Sequence, residues 1–208
     1  MNNDTILEEY IHMIELRFPV LFLIDTSSSM TGQPINEIIS AINHFRNEAV
    51  NNKELKGSLD VAVVEFDSTV RVVQDFITVE YMDLVSFSTC GVSNKRLGLQ
   101  MAIDMINDRV NFYRSREIHC YIPWIILLTD DGCPSEPVED IAKTIKQYED
   151  ENRLKLRLLL TSGSEVKQSV VELKRPIYLK EISLVDYLKD VLHKDYNYYY
   201  FDNDDFKP

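Results

Sequence analysis

Asp25, Ser27 and Ser29 stand in the spacing D-x-S-x-S, directly after the apolar run Phe18–Ile24. An extended turn with that spacing presents one carboxylate and two hydroxyls on the same side. All three are hard oxygen groups. Hard oxygens suit Mg2+, a small ion that takes six ligands at about 2.0–2.1 Å and keeps several waters. A capping turn is the other reading of these residues, since Ser and Thr favour helix starts and need no ion. A second apolar run, Ile122–Leu128, ends in Thr129-Asp130-Asp131-Gly132-Cys133-Pro134-Ser135 and brings further carboxylates. Between the two, Cys90-Gly91-Val92-Ser93-Asn94 precedes a helical pattern and offers another hydroxyl from a third loop. Three loops converging at one edge would deliver oxygen ligands and no nitrogen or sulfur.

Other chemistry has less to work with. His44 and His193 fall in helical patterns, and His119 lies before a strand, away from that edge; with His12 they read as surface or satisfied histidines. Ser27 has no His-Asp partner in sight, so nucleophilic catalysis is not indicated. Cys133 reads as a small filler residue and Trp124, inside a strand run, as core. The six glycines form neither the GxGxxG fingerprint nor a GxxxxGK[ST] loop, so the usual nucleotide-phosphate cradles are absent.

The elements that must position these residues follow from periodicity. Phe18–Ile24, Val61–Phe66, Ile122–Leu128 and Leu154–Leu160 are short apolar runs bounded by polar residues, as in strands covered on both faces. Helical faces alternate with them: Ile35, Ile38, Ile42 and Phe45; Leu99, Ala102, Ile103 and Ile106; Val138, Ile141 and Ile145; Leu184, Leu188 and Val191. Only Asp67-Ser68-Thr69 separates Val61–Phe66 from the extended stretch Val70–Ile77, too little for a crossover helix, so this interval reads as a hairpin with an antiparallel edge strand. The pattern predicts an α/β fold: a doubly wound three-layer sandwich around a mostly parallel six-stranded sheet with one antiparallel edge strand. In such a sheet, sites form at the carboxyl ends of the strands, where Asp25 and Asp130 would emerge.

With 208 residues the chain suits one domain with appendages. Residues 1–16 read as an N-terminal appendage, with Ile6, Tyr10, Met13 and Ile14 at helical spacing, residues 17–194 as the domain, and residues 195–208 as an acidic, tyrosine-rich tail. A formal net charge of −12 repels phosphate backbones and argues against nucleic acid as a partner. The longest apolar run, Tyr121–Leu128, is too short to cross a bilayer, and no export leader opens the chain. Three cysteines without a CxxC pair fit a reducing, cytoplasmic setting.

The first motif, the hairpin and the second motif together resemble the von Willebrand factor type A (VWA) domain family. Val20–Met30 is similar to the strand and D-x-S-x-S of that family's metal-ion-dependent adhesion site, and Trp124–Ser135 to its hydrophobic-TDG-x-P-T stretch. Within the family, Thr31-Gly32-Gln33-Pro34-Ile35 resembles the bacterial tellurium-resistance (TerY-like) group. The resemblance implies a Rossmann-like fold and a Mg2+ or Mn2+ ion held by Asp25, Ser27, Ser29, Ser93 and Asp130. Two departures are visible. The family's third-loop Thr, normally followed by x-x-G, appears as Ser93 with the interval to Gly98 lengthened, and Thr89 is its possible substitute. The family's single distal Asp is doubled; distance from the strand points to Asp130 and distance from Gly132 to Asp131.

Such an ion keeps an open coordination position that an Asp or Glu of a protein partner can fill, without any chemical step. The expectation is therefore a non-enzymatic, metal-dependent protein-binding module in a bacterial stress response. The alternatives are a metal-assisted hydrolase, with Lys95 and Arg96 as the nearest phosphate-holding groups, and a metal-free scaffold. Because Asp25 follows the strand, its removal is expected to abolish partner binding and spare the fold.

Overall fold

β1 (Leu16–Asp25) sends Phe18, Val20, Phe22 and Ile24 into one apolar core and Leu21 and Leu23 into another, so both of its faces are buried. The computed structural model describes residues 16–131, 137–164, 173–194 and 198–199. The appendage short of Leu16, the segment Gly132–Ser135 and most of the tail lie outside the described residues. After β1 come α1 (Gln33–Ala49), β2 (Leu59–Phe66), β3 (Val70–Thr78), α2 (Lys95–Arg114), β4 (His119–Tyr121) and β5 (Trp124–Thr129). They are followed by α3 (Glu139–Asp150), β6 (Lys155–Leu160), β7 (Ile177–Tyr178), α4 (Leu184–Lys194) and β8 (Tyr198–Tyr199).

The sheet runs β3-β2-β1-β5-β6-β7, parallel throughout except for β3, which pairs antiparallel with β2. This is the expected mostly parallel sheet with its antiparallel edge strand. The β2–β3 turn is closed by Asp67, whose backbone N–H donates to Thr69 O at 2.9 Å and whose carboxylate accepts from the Thr69 N–H at 2.8 Å. Three short strands, β4, β7 and β8, were not placed from the sequence. β4 pairs with Leu16 and Arg17 at the start of β1, and β8, formed by two tyrosines of the tail, pairs antiparallel with β4.

Helices α1 and α4 cover one face through Ile38, Ile42, Phe45, Leu184 and Leu188. Helices α2 and α3 cover the other through Leu99, Ala102, Ile106, Ile141 and Ile145. From β1 the sheet extends to β2 on one side and to β5 on the other. The loops after β1 and β5 therefore part at the carboxyl edge and leave a crevice between them.

The opposite end of the sheet is pinned by a buried carboxylate. Asp60 of β2 is fully buried and accepts from Arg17, from Arg109 at 2.6 Å and from the Tyr113 hydroxyl. Burial pushes its carboxyl up, but the hydrogen bonds from Arg17, Tyr113 and Arg109 outweigh that and hold it below the ordinary carboxylate range.

Candidate functional site

Asp25 is the last residue of β1, and the chain turns there into a single 3-10 turn, Ser28–Met30, ahead of α1. Its Oδ1 accepts from the Ser27 N–H at 3.0 Å. Its Oδ2 accepts from Ser93 Oγ at 2.9 Å and from Thr129 Oγ1 at 2.7 Å. Three loops thus meet on one carboxylate, as the spacing of the motifs predicts. The third loop is stitched to the first through Cys90 N–H to Thr26 O at 2.9 Å and Ser28 N–H to Gly91 O at 3.1 Å.

The five expected ligands fall into two groups. Asp25 and Ser93 form the inner one. Ser29 donates to Asp130 Oδ1 at 2.9 Å and lies 3.4 Å from the Ser27 hydroxyl, which makes the outer one. Thr89, the possible substitute for Ser93, joins neither pair; its hydroxyl lies 2.7 Å from that of Thr31. The doubled aspartates have separate partners: Asp130 faces Ser29, whereas Asp131 Oδ1 lies 3.2 Å from Lys95 Nζ.

Lys95, expected from sequence only as a phosphate-holding group of the hydrolase alternative, is instead buried among these carboxylates. It opens α2 behind the Asn94 cap, whose side chain accepts from the Leu97 N–H at 3.0 Å. Its ammonium donates to Ser93 Oγ at 3.2 Å and lies 4.0 Å from Asp25 Oδ2. Lys95, Asp25 and Asp131 are each 1% exposed. The signal was present in the spacing, because Lys95-Arg96-Leu97-Gly98 restores the family's x-x-G interval with Lys where Thr is usual. Asp131 follows Asp130 where the family has Gly, and its φ of 55° is the left-handed backbone that glycine usually supplies and Asp tolerates. The two departures meet in one buried ion pair.

Asp25 also proves to be more than an exposed ligand. It is the last residue of β1 rather than the residue after it, and it is buried and bonded to all three loops, so its removal is expected to destabilise the fold.

The oxygen donors alone suit a hard cation, but the arrangement around Lys95 does not. Ser93 spends its proton on Asp25 and a lone pair on Lys95. A divalent ion about 4 Å from that ammonium would be repelled by roughly 8 kcal/mol at an effective dielectric of about 20. Among the described residues no three or more His, Cys, Asp and Glu side chains are grouped to hold a metal without hydroxyl ligands.

A family model for the von Willebrand factor type A domain matches residues 20–156. Comparison with curated proteins finds no match. Among solved structures, the von Willebrand factor domain of the type V pili tip protein of Porphyromonas gingivalis superposes with a TM-score of 0.61 at 10% identity, covering 86% of this chain and 96% of that one. The manganese-loaded TRAP protein of Plasmodium vivax gives 0.59 at 17% identity, over 84% and 72%. The proximal thread matrix protein of the mussel byssus gives 0.53 at 18% identity, over 86% of this chain and 45% of its own length.

Proposed function

Because the chain belongs to the von Willebrand factor type A domain family, we propose that it is a non-enzymatic protein-binding module whose contact surface is the carboxyl edge around Asp25, Ser29 and Asp130. The observation that carries this reading is the meeting of three loops at the sheet's switch point, where α/β folds of this kind place their ligands. Apolar side chains on the rim agree with a protein contact: Val92 is 61% and Leu97 42% exposed, on either side of Ser93–Lys95. Catalysis gains no support. The hydrolase reading needed Lys95 and Arg96 to hold a phosphate, yet Lys95 is buried and Arg96 donates to Asp140 at 2.8 Å. His44 is exposed and pairs with Glu48 on α1, and His119 lies in β4 at the far end of the sheet.

The metal-bridged form of this reading places Mg2+ or Mn2+ on Asp25, Ser27, Ser29, Ser93 and Asp130 and a partner Asp or Glu on the ion. The oxygen donors and the manganese-loaded relative support it; Lys95 stands against it. A bacterial stress-response role and a cytoplasmic setting belong to the same proposal. The first is supported by the tellurium-resistance-like Thr31–Ile35, the second by the free thiols of Cys90 and Cys120.

The test is capture of proteins from an extract of the source cells on immobilised wild type, on the edge variants Ser28→Arg and Val92→Glu, and on Lys53→Glu, an exposed change at the opposite end. A bound protein lost with both edge variants and kept with Lys53→Glu supports the reading. Identical capture by all four refutes it.

A further inference from the structure

We infer that the Lys95 ammonium is the resident cation of this edge and makes the site independent of metal ions. The inference deepens the reading of the edge as a contact surface, and rests on it only for the consequence that partner binding is insensitive to chelators.

Asp25 and Asp131 are two carboxylates withdrawn from water, and buried carboxylates persist as ions only beside compensating charge. Lys95 lies against both, 4.0 Å from one and 3.2 Å from the other. Hydrogen bonding completes the arrangement. Asp25 takes donors from Ser27, Ser93 and Thr129, and Ser93 relays between the carboxylate and the ammonium. A lysine in the first turn of a helix opposes the helix dipole. Its position there is explained by the two carboxylates that receive it. The Ser93 hydroxyl that a divalent ion would need accepts from this amine, and the Asp25 carboxylate is already taken by three donors beside it. A short acidic step beside the lysine, Asp130-Asp131, supplies the second anion, which a single aspartate ahead of glycine would not.

The wild-type protein is titrated with MnCl2 by calorimetry and by manganese electron paramagnetic resonance. In parallel, the folded protein is treated with an amine-acylating reagent in EDTA and in excess MnCl2, and the modified lysines are mapped by mass spectrometry. The expected result is no stoichiometric Mn2+ binding, and Lys95 protected equally in both conditions while exposed lysines such as Lys53 react. Lys95→Thr, if folded, is expected to gain one Mn2+ site and a melting temperature raised by MgCl2. One-to-one Mn2+ binding by the wild type, Mn2+-dependent exposure of Lys95, or a folded Lys95→Thr that still takes no Mn2+ overturns the inference. Should Lys95→Thr not fold, the two wild-type measurements decide. No partner enters these experiments, so failure of the contact-surface reading leaves their outcome unchanged.

Discussion

Replacing Asp25 by Ala removes the acceptor of three hydrogen bonds and one of the two anions beside Lys95. Hydrogen bonds to a charged group contribute about 1.5–3 kcal/mol each, and they do not add when the donors share one acceptor. Breaking a buried ion pair from one side costs about 3–5 kcal/mol. Asp131 remains beside the ammonium, so the lower part of that range applies, about 3–4 kcal/mol. At about 2–4 °C per kcal/mol for a domain of this size, the melting temperature should fall by roughly 6–16 °C. Ser29→Ala is the control. Ser29 is half-buried and gives one hydrogen bond to a carboxylate, so a loss of about 1.5 kcal/mol, the low end for a bond to a charged group, is expected. Scanning calorimetry at neutral pH on the wild type and both variants reads the difference. If Asp25→Ala melts within about 2 °C of the wild type, the carboxylate does not hold the three loops together and the reasoning fails.

At the other end of the sheet, Asp60→Asn leaves Arg17 and Arg109 beside a neutral group and should cost about 3–5 kcal/mol at neutral pH. The Asp60 carboxyl titrates below its ordinary 3.8, so its contribution is complete above that value and is lost as pH falls through the depressed one. The gap between wild type and variant should therefore hold down to about pH 5 and close below about pH 4; a gap unchanged at acid pH would refute the assignment. Gly98→Ala brings a Cβ to 2.9 Å from Phe66 Cγ. Overpacking of about 1–3 kcal/mol should exceed the helix-propensity gain of about 1 kcal/mol, and a lowered urea midpoint with an unchanged slope is the expected readout. Burial pushes the Cys120 thiol up to about 12. Iodoacetamide near pH 8 should therefore leave Cys120 unmodified in the folded protein while exposed Cys90 reacts, although the hydrogen bond to Asp67 raises its thiol too; early labelling of Cys120 would contradict its burial.

The strands were legible because residues such as Val20–Ile24 are buried on both faces and leave an unbroken apolar run. The hairpin was legible because three residues cannot hold a crossover helix. β4 and β7 were not, since three and two residues carry no readable period. β4 belongs to the run that continues as β5, interrupted before Trp124 where Pro123 has no N–H to give to a ladder. At the site, the meeting of Asp25 with Ser93 could be read from motif order. Lys95 could not be read from type alone, because lysines are ordinarily solvated and only the two anions around this one explain its burial. Asp130 and Asp131 look interchangeable in sequence; the left-handed turn at Asp131 is what separates their directions.

The pairing of β8 with β4, and of β4 with β1, has a consequence for how the chain can be cut and joined. Cys120 lies opposite both Arg17 and Tyr199, so these two residues sit two strand spacings apart, roughly 10 Å. A short linker carried past β4, which lies between them, would close the backbone into a ring. Circular permutants reopened at an exposed tip, for instance between Ser115 and Arg116, should then keep the same topology. The seam would also lie at the amino edge of the strands, so anything joined there would leave the Asp25 edge uncovered.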